Sequence, residues 1–150
     1  MNFVIFVAAL FCGSAWAVDV TAKMKFVGEV DGEKIYEGRT RINGRYVIDE
    51  DGELNFRPNN SQWFIGFSNE EQALEQLNLN DAVKRLDNTK FCGLTGKAQI
   101  EITELLIGQG PARTWKTATL SQVIRKDVPI YMRCKANSSL NRDGESRAAL

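Results

Sequence analysis

Three dipeptides that end in glycine constrain the fold of this 150-residue chain more than any other feature. They are Asp31-Gly32, Asn43-Gly44 and Asp51-Gly52. Each tolerates the positive φ angles that two-residue hairpin turns require at their central positions. The segments beside them, residues 34–42, 45–49 and 53–57, have the lengths of ordinary strands. The first half of the chain is therefore predicted to be an up-and-down antiparallel meander, in which the turns also fix the strand register.

The segment before the first turn has the clearest strand pattern. Apolar or small residues occupy alternate positions from Val18 to Val30, and charged or hydroxyl residues stand mostly between them. Because side chains alternate between the two faces of a strand, this pattern predicts a long strand that is buried on one face and wet on the other. Val27 breaks the alternation next to Gly28, where we expect a bulge or a bend.

The middle of the chain predicts a short helical insertion. A turn at residues 58–61 precedes an apolar run at residues 63–67, which we expect to be a central strand. Ser68 and Glu71 then have the spacing of a capping box. Short apolar stripes follow, and they predict one or two short helices around residues 69–87.

The second half of the chain returns to a strand pattern. Alternating apolar residues predict strands at residues 92–102, 114–120 and 130–134, with a turn at residues 108–111. The order of a meander, a helix and further strands resembles that of OB-type barrels, although more strands are predicted here than that fold contains. The fold class is therefore mainly β (α+β): an antiparallel meander forms a small barrel or sandwich, with one or two short helices inserted.

Residues 1–17 have the pattern of a cleavable signal peptide. The apolar run within them is far shorter than the roughly 20 residues that cross a membrane as a helix. Residues 15–17, Ala-Trp-Ala, supply the small residues of a cleavage site. We therefore expect a secreted or periplasmic protein with no membrane span after cleavage. A single β-rich domain would occupy residues 18–136, and residues 137–150 would form a loose polar tail.

The cysteines agree with that compartment. Cys12 belongs to the predicted leader, so the mature chain keeps Cys92 and Cys134. A pair of cysteines in an oxidising compartment is typical of a disulfide, which we expect to tie the closing strand to the sheet. The alternative is two separately buried thiols.

The composition removes most catalytic chemistries. The chain has no histidine, which excludes Ser-His-Asp and Cys-His catalysis and the usual histidine-containing zinc sites. Lys plus Arg equals Asp plus Glu at 19 each, whereas a nucleic-acid binder normally carries a basic excess. Glu101 alternates with Ile100 and Ile102, so we expect it on the wet face of a strand. We therefore expect no catalytic residue, no metal, no cofactor and no nucleic-acid partner.

Two cationic and aromatic groups are candidate contact residues for a partner. Arg45 and Tyr46 lie beside the second predicted hairpin turn, and Arg113 and Trp115 lie beside the turn at residues 108–111. Arginine, tyrosine and tryptophan are favoured at protein contact hot spots. The alternative is that the aromatic rings cover the core while the arginines lie over them.

These observations predict an exported, non-catalytic binding or inhibitory module that acts through protein–protein contact. A rigid hairpin or loop edge would fill a groove on the partner, and the sequence carries no indication of oligomeric state. One alternative is a carboxylate-dependent hydrolase acting on carbohydrate, because Asp and Glu are the remaining acid–base groups. Another is a carrier that holds a small ligand in an apolar barrel interior. Asn59 and Asn137 stand in N-glycosylation sequons, which matter only in a eukaryotic source.

Overall fold

The computed structural model describes residues 20–86, 91–110 and 114–134. The elements follow in the order 3-10 helix Val20–Lys23, β1 Lys25–Val30, β2 Glu33–Ile48, β3 Leu54–Pro58, β4 Ile65–Phe67, α1 Glu70–Gln76, α2 Asn80–Leu86, β5 Phe91–Gln109, β6 Thr114–Lys126 and β7 Ile130–Arg133. The prediction of a mainly β fold with short inserted helices is confirmed. The predicted leader, the predicted tail, Arg113 and Asn137 lie outside the described residues. Within the three described ranges, no helix is long and apolar enough to cross a membrane.

Five of the strands close into a barrel. β2 pairs with β3, β3 with β4, β6 with β5 and β5 with β2, all antiparallel, and a parallel pair of β4 and β6 completes the ring. The two helices lie between the third and fourth barrel strands in chain order. This connectivity resembles that of OB-type barrels, which are five-stranded Greek-key barrels. β1 and β7 extend the sheet beyond the ring, which explains why the sequence predicts more strands than such a barrel has.

Two of the three predicted hairpins are confirmed, but only Asp31-Gly32 forms the predicted two-residue turn, since the five residues 49–53 connect β2 to β3. Asp31 and Gly32 have φ angles of 52° and 82° and join β1 to β2, as a two-residue hairpin turn requires. The turn between β2 and β3 contains Gly52 at a φ of 82°. The carboxylate of Asp49 accepts a hydrogen bond from the backbone N–H of Asp51 at 3.1 Å, which holds this turn closed.

The predicted turn at Asn43-Gly44 is wrong, because both residues lie inside β2, which runs unbroken from Glu33 to Ile48. Gly44 faces the barrel interior, where a Cβ atom would lie 2.7 Å from the ring of Phe56. Glycine is therefore needed here for the close approach of an aromatic ring rather than for a positive φ angle. The two strands predicted on either side of the turn form one long strand.

The predicted first strand is shorter than expected and its apolar side chains are not buried. Residues Val20–Lys23 form a 3-10 helix, so the strand begins only at Lys25. Phe26 and Val30 are 53% and 58% exposed, because β1 lies at the edge of the sheet, outside the barrel. The prediction of a half-buried strand is therefore wrong for β1. The expected bulge is confirmed by a register shift between Phe26 and Gly28.

The polar residues before the first helix do not form the predicted capping box. α1 begins at Glu70 with no side-chain hydrogen bond at its cap, and the hydroxyl of Ser68 lies 2.8 Å from the hydroxyl of Thr119 in β6. The side-chain amide of Asn69 accepts from the backbone N–H of Leu120 and donates to its carbonyl, both at 2.9 Å. These residues fasten the helix to β6, and that tertiary contact takes the place of the predicted cap.

Large side chains fill the interior of the barrel. Tyr46 is 0% exposed, its ring packs against Gly96, and its hydroxyl donates to the backbone carbonyl of Asp127 at 3.1 Å. Other fully buried side chains are those of Ile48, Phe56, Ile65, Leu94, Ile100, Ile102 and Leu105. Within the part of the chain that the structure describes, a carrier with a ligand-holding apolar barrel interior is therefore left without support.

The stability of the barrel is expected to fall in alkaline solution because of Tyr46. Burial raises the pKa of its hydroxyl above the ordinary value of 10.0, and the charge of Asp127 raises it further. A group whose pKa is raised by folding stabilises the folded state below its ordinary pKa, and that contribution is lost as the pH rises through the folded-state pKa. We therefore expect the urea midpoint of unfolding to fall above about pH 10 and to fall less in Tyr46→Phe.

Comparison of the wild-type protein with Tyr46→Phe separates the pH effect of Tyr46 from that of Lys126. Burial lowers the pKa of the Lys126 ammonium. The unfolded chain then binds more protons at this lysine, so its contribution to stability rises with pH, opposite in sign to that of Tyr46. Because Lys126 is present in both proteins, its effect cancels in the difference between them. Parallel midpoint curves for the two proteins from pH 8 to 11 would contradict the prediction.

The predicted disulfide between Cys92 and Cys134 is confirmed. The two residues are 42 positions apart in sequence, and their Cα atoms are 4.9 Å apart. Cys92 lies at the start of β5, and Cys134 follows directly after β7, which pairs with β5. The bond therefore fastens a four-residue edge strand to a long barrel strand.

Candidate functional site

A groove of about 620 Å³ lies at the end of the barrel where β2 begins and β5 ends. We call it the mouth groove. Its walls come from β1, β2, β5, β6, the 3-10 helix and the segment before β4. The side chains that decide its chemistry are those of Glu29, Lys34, Tyr36, Trp63, Ile107 and Lys116.

The register of three strands places these side chains together. β2 and β5 continue to pair beyond the end of the barrel, past a register shift between Glu37 and Thr40 of β2. In this extension Lys34 stands opposite Ile107, and Ile107 stands opposite Lys116 of β6. Residues directly opposite each other on neighbouring strands point to the same face of the sheet. A strip with an ammonium group on each side of an apolar residue therefore crosses the floor of the mouth groove.

Two aromatic rings complete the mouth groove. The ammonium of Lys116 lies 4.0 Å from the centroid of the Trp63 ring, a cation–π contact. Tyr36 packs edge-to-face against Phe26 of β1, with ring centroids 5.5 Å apart. Glu29 of β1 stands opposite Lys34 and supplies a carboxylate to the groove. The groove thus offers apolar contact, hydrogen-bond donors and charges of both signs.

Strand β1 forms one side of the mouth groove and is an open edge of the sheet. Among the described residues, β1 pairs only with β2. Within the described ranges its outer N–H and C=O groups have no strand partner, as is typical of an edge strand. Phe26 shares a face with the groove residue Tyr36, and Val30 stands opposite Glu33 on the other face. Apolar side chains are consequently exposed on both faces of this edge.

The predicted contact residues do not form one surface. Tyr46 is buried in the barrel, which favours the alternative that its ring belongs to the core. Arg45 is exposed on the outside of the barrel, opposite Lys97 of β5. Trp115 is 39% exposed and stands opposite Gly108, at the far end of β5. Arg113 lies outside the described residues.

Trp115 lies close to the β1 edge. Its ring covers Gly108, and its indole N–H donates to the carboxylate of Glu33 at 2.9 Å. Since Glu33 stands opposite Val30, the exposed faces of Trp115 and Val30 flank the outer side of the β1–β2 hairpin. Trp115 therefore remains a candidate contact residue, now as part of this hairpin surface.

Three further carboxylates lie on strands β2 and β5, away from the mouth groove. Glu101 is buried rather than solvated. Its carboxylate accepts hydrogen bonds from the guanidinium of Arg41 and from the side-chain amide of Gln122, both at 3.3 Å. Glu37 and Glu104 stand opposite each other in a shallow depression of about 390 Å³. Among the described residues no group of three or more acidic or cysteine side chains is arranged to hold a metal ion.

Reasoning from sequence missed the mouth groove. Trp63 lies in the apolar run that predicts a central strand, whereas the structure places it before β4, half-buried against the core and at the groove wall. Tyr36 and Lys116 stand far apart in the sequence, and only the register of β2, β5 and β6 brings them together. Comparison of the chain with protein-family models, with curated proteins and with solved structures found no match. Function is therefore inferred from the geometry of the site.

Proposed function

We propose that this protein is an exported, non-catalytic binding or inhibitory module that acts through contact with another protein. The contact surface is the β1–β2 hairpin together with the mouth groove. The observation that carries the proposal is the open edge of β1, with Phe26, Val27 and Val30 exposed beside a groove that has its own aromatic and charged groups. Lys25, Glu29 and the bulge between Phe26 and Gly28 are features that blunt an edge strand. Three large apolar side chains nevertheless remain exposed on β1, which favours a pairing surface for a specific partner.

The mechanism is the addition of a strand. An extended segment of the partner pairs with the backbone of β1, and alternate side chains of that segment enter the mouth groove. There they meet the rings of Tyr36 and Trp63, while the ammonium group of Lys34 pairs with a carboxylate or a carbonyl. A partner that uses the same segment for its own activity is inhibited by occlusion. The predicted leader and the disulfide support a site of action outside the cytoplasm.

We expect substitutions on β1 to abolish capture of the partner. The protein, expressed from its full coding sequence and recovered with its disulfide intact, is immobilised as bait for envelope and secreted extracts. Phe26→Ser combined with Val30→Ser should reduce recovery of the partner by about tenfold or more, since each residue exposes a large apolar contact. Quantitative mass spectrometry of the bound fraction gives the measurement.

A matched control is available at the opposite edge of the sheet. Val128 and Ile130 are 84% and 63% exposed, beside and within β7, and Val128→Ser with Ile130→Ser should leave recovery unchanged. Equal loss in both variants, or no specific protein at micromolar bait, would contradict the proposal. Amino-terminal sequencing of the recovered bait tests export separately. A chain that begins at Val18 is expected, and an intact Met1 in the cytosol would exclude the proposed compartment.

A further inference from the structure

The outer face of the barrel carries a second surface, separate from the mouth groove, whose charge is unlike that of the chain as a whole. Arg45 of β2 stands directly opposite Arg57 of β3 on one side and Lys97 of β5 on the other. All three residues are exposed. Like charges directly opposite each other on neighbouring strands are unfavourable, so three cations in one row destabilise the isolated sheet.

A second row lies beside the first. Asn43 stands opposite Gln99, and Gln99 stands opposite Arg125 of β6. Arg41 follows in the third row and is paired with the buried Glu101. Among the described residues, that pair is the one salt bridge of the structure. We call the surface formed by Arg45, Arg57, Lys97 and Arg125, with Asn43 and Gln99 between them, the cationic face.

Among the described residues, no carboxylate forms an ion pair with the four cations of the cationic face. Asp127 lies at its border, where its backbone N–H donates to the carbonyl of Lys97 at 2.9 Å. Arg57 directs its Nε–H to the carbonyl of Ser61 at 2.8 Å, and its guanidinium lies 5.8 Å from the centroid of the Phe64 ring. These contacts orient Arg57 without compensating its charge. The face therefore holds an excess of positive charge on a chain whose formal net charge is zero.

The geometry points to a linear polyanion rich in hydroxyl groups, an acidic polysaccharide, as the ligand of the cationic face. Neighbouring strands are about 4.8 Å apart, so the cations are spread along a line that one small anion cannot follow but a chain of repeated charges can. Asn43 and Gln99 supply amide donors and acceptors for hydroxyl groups between the charges. The two rows themselves contain no aromatic side chain, and the exposed ring of Phe64 lies at their border, beside Arg57. One ring can stack on one sugar, whereas successive bases of a single strand stack on several aromatic side chains, which favours a polysaccharide over single-stranded nucleic acid.

The test uses the full protein and a defined probe, fluorescently labelled polygalacturonate, with poly(dT) as the competing class. The affinity of the wild-type protein for polygalacturonate should fall as sodium chloride increases from 20 to about 200 mM, because counterions are released on binding. Arg45→Gln combined with Lys97→Gln should weaken binding about tenfold or more at low salt. The same variant should lower the slope of log K against log salt by roughly one for each lost contact.

Two control variants decide between a local site and a general effect of charge. Lys25→Gln with Arg133→Gln removes the same net charge at exposed positions outside the cationic face and should bind as the wild type does. Arg45→Lys keeps the charge and should also keep binding, and thermal unfolding confirms that every variant is folded. The inference is overturned by equal weakening in both double variants, by tighter binding of poly(dT), or by no binding of polygalacturonate at 20 mM salt.

Discussion

Tyr46→Ala is expected to lower the free energy of unfolding by about 3 to 5 kcal/mol, the usual cost of removing a buried aromatic side chain. The ring is fully buried, and the strand beside it carries Gly96, where a Cβ atom would overlap the ring. The barrel is therefore shaped around this side chain and cannot readily close the cavity that alanine leaves. The lost hydrogen bond to the carbonyl of Asp127 adds to the cost. Urea denaturation followed by circular dichroism measures the effect.

Arg45 provides the matched control for Tyr46. It is the neighbouring residue in β2, is exposed and stands between two like charges, so Arg45→Ala should not lower the free energy of unfolding by more than about 0.5 kcal/mol. A second variant, Gly96→Val, approaches the same packing from the other side and should also destabilise the barrel, by overlap with the ring. Wild-type stability in Tyr46→Ala, together with loss of the captured partner, would instead make Tyr46 a contact residue.

Removing the disulfide is expected to lower the free energy of unfolding by about 2 to 5 kcal/mol. The bond closes a loop between residues 42 positions apart, for which the chain-entropy model gives about 4 kcal/mol at 25 °C. The variant Cys92→Ser with Cys134→Ser should unfold at a clearly lower urea concentration than the oxidised wild type. The loss acts mainly through the unfolded chain, which gains conformations when the loop is opened.

Reduction of the wild-type protein supplies the control for the disulfide. With dithiothreitol the wild-type midpoint should fall to that of the double-serine variant, whose own midpoint should not respond to the reductant. A midpoint that is the same in the oxidised wild type, the reduced wild type and the variant would show that the bond between Cys92 and Cys134 contributes nothing to stability.

The local parts of the fold could be predicted from sequence because local chemistry decides them. Asp31-Gly32 forms its hairpin turn since both residues accept a positive φ angle and no tertiary contact competes. Asn43-Gly44 has the same sequence pattern but forms no turn, because Gly44 packs against the ring of Phe56 inside β2. The dipeptide alone does not distinguish these two uses of glycine.

The site could not be predicted to the same extent because it depends on register and on which strands lie at an edge. The alternation from Val18 to Val30 is typical of a strand packed on a core, yet β1 lies outside the ring and leaves Phe26 exposed. The apolar run around Trp63 indicates a core position, but in the structure the ammonium of Lys116 in β6 lies over its ring. The pairing of Cys92 with Cys134 could be predicted because only two cysteines follow the predicted leader.

The pairing of β2 with β5 also sets the order in which the chain can acquire its structure. Its register runs from Ile48 opposite Leu94 to Glu33 opposite Gly108, so the longest seam of the molecule joins segments that lie far apart in the sequence. The entropy of closing such a loop is lost before any pairing compensates for it. During synthesis the barrel can therefore close only after β5 has emerged, whereas the β1–β2 and β2–β3 hairpins can form earlier. Late closure of this seam would suit the export that we propose, because a membrane channel threads an unfolded polypeptide.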